Sequence, residues 1–272
     1  MFRSVSVILT SALVLSQPAP AFAAAAPLQP VSKWNVSNGD TLCIASRSYG
    51  SPAGPVSLSI VPSPNGETYE LLVGSKYTAR GRAIEEQGSV NFGKGPIDAW
   101  ALFYQTVNRG SDVHDFRIPA AEMTQAASAP TMSLHISGSS DFTFALDSMT
   151  QVLDGLKKCS VDLERNWNMD RQQWSKFSSR AHADFKNLFN PEDYPLQAIW
   201  KEQGGTGQYL LLVDEHGKVD GCQVLQPTGV PVLDVTVCAV IQNKAKFTPA
   251  LDENGKPVRS VVVTPTINWR IP

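Results

Sequence analysis

Hydrophobic and polar positions along the chain fall into three rhythms. From Trp34 to about Ser140, short apolar runs alternate with turns. Residues 41–44 and 56–61 read as strands, because apolar and β-branched residues alternate or run together there. The stretch Pro62-Ser-Pro-Asn-Gly66 is a turn signal ahead of a strand at 69–73. Residues 90–92, 100–107 and 132–136 read as further strands, and 141–146 as another strand or the approach to a helix. The period then changes. Met149, Val152, Leu153 and Leu156 share one face of a helix at 147–159, which Asp147 or Ser148 is placed to cap. This part reads as a small antiparallel β-domain closed by one helix, with a sandwich and an open barrel both compatible with the pattern.

In the second rhythm, Trp174, Phe177, Ala181, Phe185 and Leu188 recur at helical spacing with polar residues between them. The spacing predicts an amphipathic connecting helix over 161–190, ended by Asn190-Pro191. Its aromatic stripe is core or the wall of a partner-binding groove. Residues 24–33 are Ala- and Pro-rich and read as a loose lead-in.

The third rhythm opens with Gly204-Gly-Thr-Gly207, read as a flexible turn. A strand at 209–213, a turn at 214–217 and a strand at 219–225 follow. Val237, Val240 and Ile241 give a helix over 235–246, with Asp234 as its N-cap or first-turn acid. After Asn254-Gly255 comes a β-branched run at 260–271. Pro265 removes a ladder donor from it, so that strand belongs at a sheet edge or carries a bulge. The whole reads as α+β: a β-rich domain at 24–160, a helical connector at 161–190 and a β-β-α-β module at 191–272.

Composition narrows the setting. The 272 residues are 42% hydrophobic, enough for two small cores, and carry a net charge of −2 without long charged blocks. That balance argues against nucleic acid and anionic membrane surfaces as partners. Arg3, the apolar stretch 5–16 and Ala21-Phe-Ala23 have the form of an export signal cleaved after Ala23. An uncleaved anchor is the weaker alternative, because the apolar run falls short of the roughly 20 residues that span a bilayer. The expected location is therefore the periplasm. Four cysteines in an exported chain imply two disulfides, and three pairings exist. Cys43–Cys159 and Cys222–Cys238 are expected, since each pair then lies within one domain.

No catalytic constellation emerges. His114, His135, His182 and His216 are scattered, although His135 has Asp141 nearby and His182 has Asp184. There is no nucleophile elbow. The glycines at 204–207 precede a strand and lack the Lys-Ser/Thr of a phosphate loop. No Cys and His stand at zinc-ligand spacing. The chain is expected not to be an enzyme and to need no metal or small-molecule cofactor.

The C-terminal residues resemble the C-terminal domain of the TonB energy transducers. The resemblance rests on Tyr194-Pro195, on the strand–turn–strand pattern from Gly207 to Val219, on the helix from Leu233 with its exit Phe247-Thr-Pro-Ala250, and on the last strand from Val261 to Ile271. It implies that TonB-dependent outer-membrane transporters are the partners, each adding its TonB-box peptide as a strand beside the last strand. The implied contacts are Val261, Val262, Val263, Thr264, Thr266 and Asn268. A second copy of the chain is the alternative occupant of that edge. The transducers also carry an uncleaved anchor and a Pro-rich spacer, where this chain has a cleavable-looking N-terminus and a β-domain. A rival expectation is thus an envelope structural or interaction protein that uses the module without transporter coupling.

Overall fold

The computed structural model of the protein describes residues 26–50, 54–64, 66–76, 84–105, 110–136 and 141–271. The expected export signal at 1–23 and the end of the expected strand at 100–107 lie outside the described residues. The N-terminal part is a nine-stranded antiparallel sheet. Its strands are β1 (Asn35–Asn38), β2 (Cys43–Tyr49), β3 (Val56–Pro62), β4 (Thr68–Lys76), β5 (Ile84–Asn91), β6 (Pro96–Gln105), β7 (Ser111–Pro119), β8 (Thr131–Ile136) and β9 (Phe142–Ala145). They lie in the order β1-β2-β3-β4-β7-β6-β5-β8-β9. β2 shows why these segments form strands: Cys43, Ala45, Arg47 and Tyr49 turn inward while the residues between them are half-buried. A short helix α1 (Ala120–Met123) joins β7 to β8.

The expected loose lead-in is instead a stitch. The Leu28 amide donates to the Thr143 carbonyl at 2.7 Å, and the Leu28 carbonyl accepts from Ala145. Three residues on, Val31 donates to Ser48, and Gly50 donates back to Gln29. Residues 28–31 therefore tie β9 to β2 and close the sheet on itself at that end, in a barrel-like arrangement. Tyr49 and Phe144 meet edge to face beneath the stitch at 4.8 Å.

Helix α2 (Met149–Asn166) runs seven residues past its expected end and buries Met149, Val152, Leu156, Cys159 and Leu163 against the sheet. Ser148 stands at its N-cap without a side-chain cap bond, and Asp147 pairs with Arg47 at 3.0 Å, so neither caps the helix as expected. The Cys43–Cys159 disulfide ties α2 to β2.

The expected connecting helix is absent. After a 3-10 turn at Arg171–Lys176 the chain becomes an extended strap. Its backbone bonds go to the C-terminal part: Ser178 and Ser179 donate to the Leu251 carbonyl, and His182 and Thr248 exchange bonds. Side-chain bonds, one to the C-terminal part and one local, favour the extended course over a helix here. The Ser178 hydroxyl bonds the Asp252 carbonyl, and the Asp184 carboxylate takes the Lys186 amide. The aromatic spacing is real, but Phe185 and Phe189 pack onto Phe247 and Trp269 rather than along one helix face.

The C-terminal module begins with α3 (Leu196–Trp200). It continues with β10 (Gly205–Val213), β11 (Val219–Gln226), α4 (Pro231–Lys244), β12 (Ala250–Leu251), β13 (Pro257–Val258), β14 (Ser260–Val263) and β15 (Ile267–Trp269). β10 is central, with β11 on one side and β14 and β15 on the other, all antiparallel. Pro231 opens α4, four residues earlier than the apolar spacing alone indicates, because proline fits the first helical position. The glycines at 204–207, expected as a flexible turn, lead into the ladder of β10 with β15. A Cβ on Gly205 would lie 2.5 Å from the Thr228 carbonyl oxygen, so close approach of the chain requires glycine there. Cys222–Cys238 joins β11 to α4.

Two apolar cores result. Tyr209, Leu211 and Val213 face α4, together with Leu233, Val237 and Ile241. Leu212, pointing the opposite way from β10, belongs to the core of the N-terminal sheet. This double burial explains the unbroken apolar run Leu210-Leu-Leu-Val213 where a one-faced strand would alternate.

Candidate functional site: the edge of the last strand

The last run, read as one strand, is two. β14 pairs with β10 from Ser260 opposite Val213 to Val263 opposite Leu210; β15 resumes the pairing at Ile267 opposite Gly207. Pro265 lies in the break, as a residue without an amide donor must in a paired strand. Thr264 locks the junction. Its amide donates to the Tyr209 carbonyl at 2.9 Å, and its hydroxyl accepts the Tyr209 amide at 3.1 Å. In an antiparallel ladder alternate residues turn their backbone groups to the partner. Thr264 sets that phase, so Val262 and Ser260 face β10. The amides and carbonyls of Val261 and Val263 project from the opposite side, away from the sheet.

The residues implied as contacts thus differ in what they can do. Val261 packs partly on the N-terminal core, and Val262 partly on the α4 core. Val263 is 40% exposed, and Thr266 and Asn268 are exposed. Thr264 is buried and already bonded, so it holds the strand in place and offers nothing outward.

The edge is bordered by grooves. One, of about 390 Å³, runs between Val261–Val263 and Trp174 of the 3-10 turn with the strap residues Phe177, Arg180 and Ala181. Another, of about 360 Å³, runs between 265–269 and Phe185, Lys186 and Phe189. The strap is what the sequence reading missed. Its aromatic spacing was legible, but only the 3-10 turn and the extended course after it set Trp174 and Phe177 beside the last strand.

Beneath the edge, a buried polar pair fixes β10 on α4. The Tyr209 hydroxyl donates to Asp234 at 2.6 Å, and the Thr228 amide donates to the same carboxylate oxygen at 3.0 Å. Burial pushes the Asp234 carboxyl up, against the stabilising hydrogen bonds from Tyr209 and Thr228. It pushes the Tyr209 phenol up as well, and the Asp234 charge adds to that. The turn after β10 is built on Asp214, whose carboxylate accepts the amides of His216 and Lys218. Gly217 there has φ +80°, and a Cβ would stand 2.0 Å from the Phe247 carbonyl oxygen.

The four histidines lie in separate surroundings. His135 and Asp141 form an exposed pair at 2.6 Å. His114 is packed against Phe103 and Phe142, His182 bonds the Arg180 carbonyl, and His216 sits in the Asp214 turn. A cleft of about 370 Å³ between the N-terminal sheet and α4 holds Glu70, Asp115, Arg117 and Asp234. Arg117 pairs with Glu70, and its guanidinium lies over Trp100. Burial pushes the Asp115 carboxyl up to about 8, with the Glu70 charge adding to it and Arg117 opposing. Among the described residues, no group of three His, Cys, Asp or Glu is placed to hold a metal ion. No helix among them is long and apolar enough to cross a membrane.

Residues 190–271 match the family model described as Gram-negative bacterial TonB protein C-terminal. The match takes in α3 through β15 and leaves out the nine-stranded sheet and the strap. No curated protein matches the chain.

Proposed function

We propose that this chain uses its TonB C-terminal domain in the periplasm to bind outer-membrane TonB-dependent transporters, taking an extended TonB-box segment as a further strand on the β14–β15 edge, in the service of transport across the envelope. The observation that carries this reading is the phase of β14, which leaves the backbone groups of Val261 and Val263 unclaimed by β10. Backbone pairing would supply general affinity, and alternate side chains would supply selectivity. The role is one of binding rather than catalysis.

The test is a titration of the purified protein with TonB-box peptides, following backbone amide shifts. Shifts concentrated at 260–269 are expected. Val263→Pro removes an outward donor at an edge position, where proline is tolerated, and should abolish the shifts while leaving the fold intact. Peptide binding that survives in this variant would place the contact elsewhere.

A second reading is an envelope interaction protein that uses the same module without transporter coupling. It is favoured by the large sheet packed directly on the module, through Leu212 and through the bond from Gln223 to the Thr41 carbonyl. Capture of a non-transporter envelope protein, with a flat titration by transporter peptides, would select it.

A further inference from the structure

The two grooves along the edge share a chemical character. Their strap walls supply the aromatic rings of Trp174, Phe177, Phe185 and Phe189, and each contains one cation, Arg180 in the first and Lys186 in the second. No carboxylate lines either groove. The strap is fixed beside the edge rather than laid over it: its backbone bonds run to 248–251, and Phe185 and Phe189 stand edge to face on Phe247 and Trp269 at 5.9 and 5.8 Å. The Arg180 guanidinium lies 4.6 Å from the Trp174 ring, which holds its charge at the groove wall.

We infer that the strap is the second wall of the peptide site, and that it selects an extended peptide segment of a partner protein carrying apolar side chains at alternate positions and a carboxylate toward each end. This rests on the strand-addition reading and adds a specificity to it. The edge strand offers backbone groups, which any sequence can use. The strap offers rings for the side chains of one face and two positive charges, Arg180 held over Trp174 and Lys186 on an exposed side chain. The first groove centres on Val262 and the second on Ile267. At about 3.3 Å per residue, the two carboxylates of a bound strand would stand about five residues apart. Charge complementarity of this kind sets partner choice and encounter rate more than total affinity.

The experiment uses the full mature chain and three fluorescent nine-residue peptides with the same alternating Val/Thr centre, bearing Glu, Gln or Lys at the two flanking positions. Binding is read by anisotropy and location by amide shifts. The Glu peptide should bind more tightly than the Gln peptide by about tenfold, which corresponds to about 1.4 kcal/mol, and the Lys peptide more weakly than both. Raising the salt should shrink the difference. In the variant with Arg180→Gln and Lys186→Gln, the Gln peptide should bind as before, while the Glu and Lys peptides converge on it. Both positions are exposed, so the variant should fold.

Equal binding of all three peptides at the edge would overturn the selective strap and leave strand addition standing. So would a preference that persists in the double variant. Absence of shifts at 260–269 with every peptide would overturn both. Self-association that blocks the edge and outcompetes all three peptides would replace the acidic segment with a second copy of the chain.

Discussion

Asp115 is an acid whose surroundings oppose its charge. It is buried in β7, and one of its carboxylate oxygens has no hydrogen-bond partner among the described residues. The neighbouring Arg117 is already committed to Glu70. A carboxyl raised from its ordinary value to about 8 binds its proton more tightly in the folded than in the unfolded chain. Its contribution is therefore fully present below the unfolded value near 4 and is lost as pH rises toward about 8. Asp115→Asn, which keeps the shape and removes the charge, should flatten that slope. At pH 8.5 it should raise stability by on the order of 2 kcal/mol, the scale of one buried, unsatisfied polar group. Urea unfolding at pH 5 and pH 8.5 checks it. A variant as pH-dependent as the parent between those values would show that Asp115 is not the group responsible.

At the scale of elements, legibility followed burial. β3, β4, β8 and the β10–β11 pair could be found because their apolar residues alternate or run unbroken. β7 escaped because this central strand places Asp112, His114 and Asp115 at buried positions, which breaks the pattern the eye follows. The strap escaped for the opposite reason: its rings repeat at helical spacing, but Ser178 and Asp184 spend backbone and side-chain bonds on an extended course. Both disulfides were legible from the rule that each closes within its own domain. The edge itself was legible from Pro265, but the inward turn of Thr264 was not, because the sequence does not display the phase of a ladder. Cys222–Cys238 bears on the site through α4, which β10 and hence the edge lean upon. Replacing both cysteines with alanine opens a short loop and should cost about 3 kcal/mol in the chain-entropy account. Urea midpoints of the two forms measure the loss. The free edge should survive in the fraction that stays folded, because β14 pairs with β10 and not with β11. Peptide affinity falling in proportion to the folded fraction fits this arrangement; affinity lost in fully folded protein would mean that the disulfide shapes the edge directly.

In the whole molecule, the nine-stranded sheet and the C-terminal module meet at the end of α2. Trp167 is fully buried in the N-terminal core and donates its indole proton to the Asp40 carbonyl. Its ring also lies 5.2 Å from the Arg259 guanidinium, just ahead of β14. Its neighbour Asn168 donates to the Arg259 carbonyl at 2.8 Å, and Leu212 reaches from β10 into the same core. β14 is thus held from behind by the N-terminal sheet, and the two parts should unfold as one unit. Trp167→Ala removes a fully buried indole and should cost about 3–5 kcal/mol. If the coupling is real, the loss will reach across the junction: amides of 260–263 will exchange faster along with those of β2, in a single transition by every probe. Asn168→Gly, which cuts the bond to Arg259 at a backbone position with φ +52° that glycine adopts without strain, separates coupling from core loss. It should lower overall stability by about 1 kcal/mol and speed exchange at 258–261 more than in β2. A Trp167→Ala protein that melts in two steps, with the module's step unmoved, would make the sheet a separate body. The position of the last strand would then depend on its own module alone.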